Sequence, residues 1–220
     1  MLNRSLLRLL AQYKRRTLRF VKYEIEEAMT LVARPPRADA QRNRERLLSV
    51  AVAEFAAHGQ DVPLETIAEG AGVGIGTLYR HFPNREALVV AAYQQEVDSL
   101  CASAPELIAT MPADQALRTW AVRFTDYVAT KRSMGDALRS AVASDASFFA
   151  ETKQRISGAL RLLLEAGAAS GTLRPDSDPD DVMRVMSAIW FLPDGPDWRR
   201  DVGKMLDLVI DGLRYRASEA

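Results

Sequence analysis

The sequence predicts an all-α protein, with a three-helix N-terminal domain that holds a helix-turn-helix, followed by a larger helical bundle. Three observations predict it. Apolar residues recur at helical spacing nearly throughout. β-Branched residues rarely alternate with polar ones, and no Asn-Gly or Asp-Gly pair sits between two alternating apolar runs. The breaks are few and consist of Pro and Gly at positions that bound helices.

Residues 2–33 carry Leu6, Leu10, Tyr13 and Val21 among Arg8, Arg15, Arg19 and Lys22 at roughly helical spacing. Arg34-Pro35-Pro36-Arg37 breaks that pattern, since proline disfavours helix in the residue before it, and reads as a hinge or linker. A helix over about 40–57 follows, its stripe made of Leu47, Leu48, Ala51, Val52 and Phe55, and Gly59 suits the left-handed turn that ends it. Pro63 opens a short helix over about 64–71, Gly72-Val73-Gly74 turns the chain, and a second short helix covers about 75–82. Asn84 is placed to cap a helix from Arg85 to about Cys101. Further helices are predicted at 113–131, 134–143, 146–169, 179–192 and 196–216, separated by Pro112, by Gly171 to Pro179 and by Pro193 to Pro196. The domains read as a basic extension and linker (1–39), a first unit (40–100, motif 63–82) and a second helical unit (101–220).

Composition narrows the function. Residues are 48% hydrophobic, enough to build a core and to argue against wholesale disorder. A lone cysteine, Cys101, excludes an intrachain disulfide and most cysteine-based zinc sites, and fits a reducing cytoplasm. No apolar run approaches the roughly 20 residues that span a bilayer, and the N-terminus lacks a secretory signal pattern. The 29 basic and 29 acidic residues cancel only overall. Residues 1–46 hold 12 basic and 5 acidic side chains, which points to a polyanion, nucleic acid or membrane surface.

Residues 63–82, PLETIAEGAGVGIGTLYRHF, carry the chemistry. Two short helices joined by a glycine turn are helix-turn-helix geometry. Ile67, Ala68 and Ala71 can face inward from the first helix, Val73 plugs the turn, and Leu78 and Phe82 share a face of the second. The outward face then shows Ile75, Gly76, Thr77, Tyr79, Arg80 and His81, and residues 70–85 contain no acid. Hydroxyls, a guanidinium and an imidazole donate to phosphate; Arg80 can read guanine and Ile75 can touch a thymine methyl. Arg85 adds charge beside helix N-terminal amides. Thr66 on the first motif helix completes the candidate DNA-binding set. The plainer alternative is that Tyr79 and His81 pack and Arg80 is solvated.

The run from Arg46 to Leu100 resembles the N-terminal domain of the Tet-repressor (TetR) family of bacterial transcription regulators. Phe55-Ala56-Ala57-His58-Gly59, Ile67-Ala68, Ala71-Gly72-Val73, Gly76-Thr77-Leu78-Tyr79-Arg80-His81-Phe82 and Asn84-Arg85-Glu86-Ala87-Leu88 carry the resemblance. It implies that Ile75, Gly76, Thr77 and Arg80 lie nearest the bases, and that Tyr79, His81 and Arg85 anchor phosphates. Gly74 and Pro63 depart from the family's usual Ser and Thr, removing two hydroxyls from possible caps. The resemblance further implies an all-α homodimer, a double-stranded DNA operator as partner, and a C-terminal domain that binds a small-molecule effector and dimerises. No cofactor, metal or membrane partner is called for.

In that second unit Trp120, Phe124, Tyr127, Met134, Phe148 and Phe149 are candidate walls of a ligand pocket, with plain core packing as the alternative for each. Met186, Ile189 and Trp190 on one apolar helix, and Met205, Leu206, Val209 and Leu213 on the next, are candidates for the dimer interface; the alternative is the protomer's own core. The function expected is a repressor released from its operator by a small molecule. The alternatives are a ligand-independent regulator or an activator of the same fold, and a peripheral membrane helical protein.

An enzyme finds no support in motifs: two histidines, no Gly-x-Ser-x-Gly elbow, no phosphate-binding Gly-rich loop. Asp176, Asp178, Asp180 and Asp181 look metal-like but lack EF-hand spacing, and read better as an acidic helix start. The basic stretch before residue 29 admits three readings: a nonspecific DNA-binding arm, a membrane-surface helix, or a segment upstream of a start at Met29, the last being favoured.

Overall fold

A computed structural model describes residues 36–59, 61–143, 147–193 and 195–215. The basic extension, and with it the question of Met29, lies outside the described residues. Among them are nine α-helices and no strand. They are α1 (Pro36–His58), α2 (Leu64–Gly70), α3 (Ile75–His81), α4 (Arg85–Thr110), α5 (Ala113–Ser133), α6 (Gly135–Ala141), α7 (Phe148–Ala169), α8 (Pro179–Ser187) and α9 (Trp198–Arg214). A 3₁₀ turn, Ala188–Phe191, follows α8.

Several boundaries differ from those the sequence suggests, each for a local reason. Pro36 does not interrupt α1 but starts it, because a first-turn proline lacks only an N–H that would have no helical acceptor. α4 runs nine residues past Cys101, through Pro105, so the boundary placed near residue 100 falls inside a continuous helix. Close to that proline the Leu100 carbonyl accepts from the Ser103 hydroxyl at 2.8 Å and the Trp120 indole N–H at 3.0 Å. The Trp120 bond ties α4 to α5. The helix expected over 179–192 tightens to a 3₁₀ turn after Ser187.

Two helix starts follow their capping residues. Asn84 Oδ1 accepts from the Ala87 N–H at 2.8 Å at the head of α4. Asp178 Oδ1 accepts from the Asp180 and Asp181 N–H groups at 2.7 and 3.3 Å, with Pro179 in the first turn of α8. Asp178 is thus a helix cap while Asp176 holds the Arg174 guanidinium, and among the described residues no group of acids, histidines or cysteine is arranged to hold a metal.

One core runs from Leu47 to Leu213. Phe55, Ile67 and Leu78 are fully enclosed at one end, and Trp120, Leu160 and Leu163 at the other. Burying each of these side chains stabilises by about 1.5–3 kcal/mol. α4 packs on α5, α6 and α7 and serves as the central helix of the bundle. No described helix is long and apolar enough to cross a membrane.

Candidate functional site

The helix-turn-helix is built on a closed turn. Gly72 takes φ +66°, a conformation that L side chains rarely adopt. With it there, the Val73 N–H reaches the Ala68 carbonyl at 3.0 Å and the Gly72 N–H reaches Glu69 at 2.9 Å. This is the Schellman pattern, which satisfies the last carbonyls of α2 and redirects the chain into α3. Ile67, Ala68, Ala71, Leu78 and Phe82 are buried and Val73 is half-buried, as the sequence pattern requires. Neither Pro63 nor Gly74 supplies a side-chain cap to the helix it precedes.

With those positions spent, α3 presents Gly76, Tyr79 and Arg80 to solvent, with Thr77 and His81 partly exposed. Thr66 is exposed on α2. A Cβ built at Gly76 would meet nothing within 4 Å, so another molecule can approach the backbone closely there. Tyr79 is 48% exposed although aromatic, leaving ring and hydroxyl free to meet a partner. Arg80 lies along its own helix, Nε donating to the Gly76 carbonyl and Nη2 to Thr77 Oγ1, both at 3.1 Å. Two residues carry a structural share. Ile75 is half-buried against the core. Arg85 Nη1 donates to the Val62 carbonyl at 2.8 Å, which ties the head of α4 to the loop before α2.

A cavity of about 420 Å³ opens in the bundle between α4, α5, α7, α8 and the 3₁₀ turn. Of the candidate pocket residues, Phe124, Tyr127 and Phe149 line it; Trp120, Met134 and Phe148 do not. Trp120 and Met134 are fully enclosed in the core, where the Trp120 ring stacks on Phe124 at 5.8 Å. Phe148 packs 5.6 Å from Tyr93 and 5.4 Å from Phe149, behind the wall rather than in it. The wall also includes Tyr93, Lys131, Thr152, Met183 and Trp190, none of which the sequence had marked as pocket residues. Lys131 had a legible signal: it lies eleven residues after Trp120, on the same helical stripe as Phe124, Tyr127 and Val128.

The polar groups of this cavity are few and specific. The Tyr93 and Tyr127 hydroxyls share a hydrogen bond of 2.8 Å, and Thr152 bonds Tyr93 as well. Burial pushes both phenols above their ordinary range, so they stay neutral. The Lys131 ammonium stands 5.0 Å from the centre of the Phe149 ring, 5.1 Å from Trp190 and 5.8 Å from Tyr93. Burial lowers its pKa. The ring faces offset part of the lost hydration, about 0.5–2 kcal/mol for a contact of this kind.

On α8 and α9 the structure divides the apolar residues that the sequence groups together. Met186, Ile189, Leu206 and Leu213 are buried in the protomer's own core, so these four do not supply its outer face. Met205 and Val209 are half-buried, while Val185 and Leu208 are exposed. At about 100° per residue, Val202, Leu206, Ile210 and Leu213 form one arc of α9, and Met205, Leu208, Val209 and Gly212 the arc beside it. Trp190 turns to the cavity mouth over Lys131.

Two short helices on a Schellman turn, the second offering an acid-free face of Gly, Thr, Tyr and Arg, make this a helix-turn-helix DNA-binding protein. Comparison with known proteins agrees over both domains. Residues 47–92 match the family model described as bacterial regulatory proteins, tetR family. Residues 112–215 match the one described as transcriptional regulator SbtR-like, C-terminal domain. The crystal structure of a TetR transcriptional regulator from Streptomyces coelicolor is 46% identical, covering 78% of this chain and 98% of its own, with a TM-score of 0.72. A TetR regulatory protein from Mycobacterium vanbaalenii is 33% identical, covering 82% and 99%, with a TM-score of 0.65. The transcriptional repressor KstR2 of Rhodococcus jostii is 28% identical over 81% of this chain and 97% of its own length. The chain belongs to the TetR family of bacterial transcription regulators, and its function is DNA-binding regulation rather than catalysis.

Proposed function

We propose that this protein is a repressor that binds its operator as a homodimer and is released by a small molecule held in the bundle cavity. The observation that carries the DNA half is the exposed face of α3, with Arg80 and Tyr79 beside an open Gly76. In this reading Ile75, Gly76, Thr77 and Arg80 meet base edges, while Thr66, Tyr79, His81 and Arg85 meet phosphates. The dimer face is the outer arc of α9 together with Val185, since Leu208 and Val185 are large apolar groups left in water. A two-fold axis there sets two copies of α3 against half-sites about 34–36 Å apart.

The cavity supports the release half. It is concave, mostly apolar and carries a small polar cluster, the usual makeup of a small-molecule site. Trp190 on its rim sits in the turn that follows α8, so an occupant that moves that turn also moves the proposed dimer helices. Shifting the protein from mostly bound to mostly free takes about 5 kcal/mol of differential ligand affinity for the released state.

Genome-wide mapping of bound sites in the native host tests the DNA half, with enrichment of a short two-fold symmetric sequence as the result. The isolated operator then serves to screen small molecules for release. Absence of any enriched sequence sinks the regulator's proposed docking, and a ligand that fills the cavity without altering operator affinity sinks release.

A further inference from the structure

We propose that the bundle cavity takes an amphipathic organic anion, a carboxylate with an apolar body, and that Lys131 is the residue that selects it. The inference rests on the reading of this cavity as the effector site and adds the chemical class.

Charge is the first argument. Two charged residues, Lys131 and Lys153, line the cavity, and no Asp or Glu does. Both ends of any electrostatic preference therefore point the same way, toward a negative ligand. Lys131 is half-buried, and among the described residues it makes no hydrogen bond and no ion pair. Its company is three ring faces at 5.0–5.8 Å. An ammonium has three N–H donors, and ring faces satisfy its charge only in part. Arginines on this surface typically find an aspartate: Arg155 meets Asp98 at 2.5 Å, and Arg118 meets Asp207 at 2.8 Å. Lys131 instead stands on the wall of a cavity, where a bound molecule can supply such a partner.

The second argument is the disposition of the walls. The same walls carry the hydroxyls of Tyr93, Tyr127 and Thr152, which bond one another and keep one proton to donate to a carboxylate oxygen. The rest of the lining, Phe124, Val128, Ile156 and Met183 among it, is apolar. A polar pole and an apolar body in one enclosure match a molecule with the same division. The lowered pKa of Lys131 is consistent with this, because it marks a charge that burial disfavours and an anion would restore.

The test compares dodecanoate and phenylbutyrate with the corresponding alcohols, dodecanol and phenylbutanol, by calorimetry on the DNA-free full chain. Each carboxylate binds about tenfold tighter than its alcohol or better, a ratio expected for loss of one charge-assisted contact. Lys131→Gln removes the difference, and Lys131→Arg, which keeps the charge, retains it. Equal binding of acid and alcohol overturns the inference, as does an undiminished acid preference in Lys131→Gln or failure of both carboxylates to bind. Operator affinity is read separately by fluorescence anisotropy. Lys131-dependent carboxylate binding that leaves operator affinity unchanged upholds the anion site and removes only the release reading.

Discussion

Arg80 folds back onto Thr77, donating from Nη2 to Thr77 Oγ1 at 3.1 Å while its Nε holds the Gly76 carbonyl. The guanidinium is thereby stored along α3, with its direction set before any partner arrives. To grip a guanine in a bidentate fashion it must give up the Thr77 contact, which is exposed and costs little to exchange. Arg80→Ala is expected to relax base preference at one pair of each half-site by about 1–3 kcal/mol, leaving the other positions alone. Binding to operators substituted one pair at a time measures this. An unchanged preference profile would remove Arg80 from base reading.

Tyr79 differs from Arg80 in carrying no charge and no intrahelical bond that an ordinary phosphate contact would have to break. Tyr79→Ala is expected to weaken operator and nonspecific duplex by similar factors, the mark of a backbone contact. Anisotropy titrations on both duplexes check it, and a loss confined to the operator would make Tyr79 a base reader instead.

Gly74 precedes α3 in an extended conformation, φ −71° and ψ 150°, that any residue adopts, and a Cβ there meets nothing within 4 Å. Gly74→Ser adds a capping hydroxyl and reduces the freedom of the unfolded chain. Together these stabilise by about 0.5–1 kcal/mol, readable as a higher urea midpoint with an unchanged slope. A lower midpoint would contradict the open geometry.

Gly167 is the opposite case. A Cβ on it would lie 2.3–2.8 Å from the Cδ1, Cγ and Cβ of Leu173, which folds back over α7 after the turn at Gly171. Because Leu173 is fully buried and its Cβ is involved, no rotamer change clears the overlap. Gly167→Ala is expected to destabilise by about 1–3 kcal/mol. Adding Leu173→Ala should cost less in that background than in the wild type, since the two substitutions share one contact. Denaturant melts of the four proteins decide it, and strict additivity would count against the packing described.

Leu208 and Leu206 lie two residues apart on α9 with opposite surroundings, 74% and 4% exposed. Leu208→Glu is expected to leave a folded protein that sediments as a monomer. Leu206→Glu is expected to compromise folding itself, by placing a carboxylate in the core. A dimeric Leu208→Glu protein would move the interface elsewhere.

The sequence was most legible where structure is local. Helix order, the turn at Gly72-Val73-Gly74, the Asn84 cap and the acidic start of α8 all depend on neighbours close by in the chain. The cavity was only half legible. Aromatic character points equally to Phe124, Tyr127 and Phe149, which line the cavity, and to Trp120 and Phe148, which do not, while Met134, an apolar candidate, is absorbed by the core.

What the sequence by itself determined, then, is the all-α class, the position of the recognition helix and the chemistry on its outer face. Tertiary structure alone decided which apolar arc of α9 turns inward, and that Lys131, a single cation on an aromatic stripe, faces Phe149, Trp190 and Tyr93 rather than water. The physical reason is that helical periodicity reports the direction of a side chain from its own axis, whereas burial and charge depend on what other helices bring to meet it.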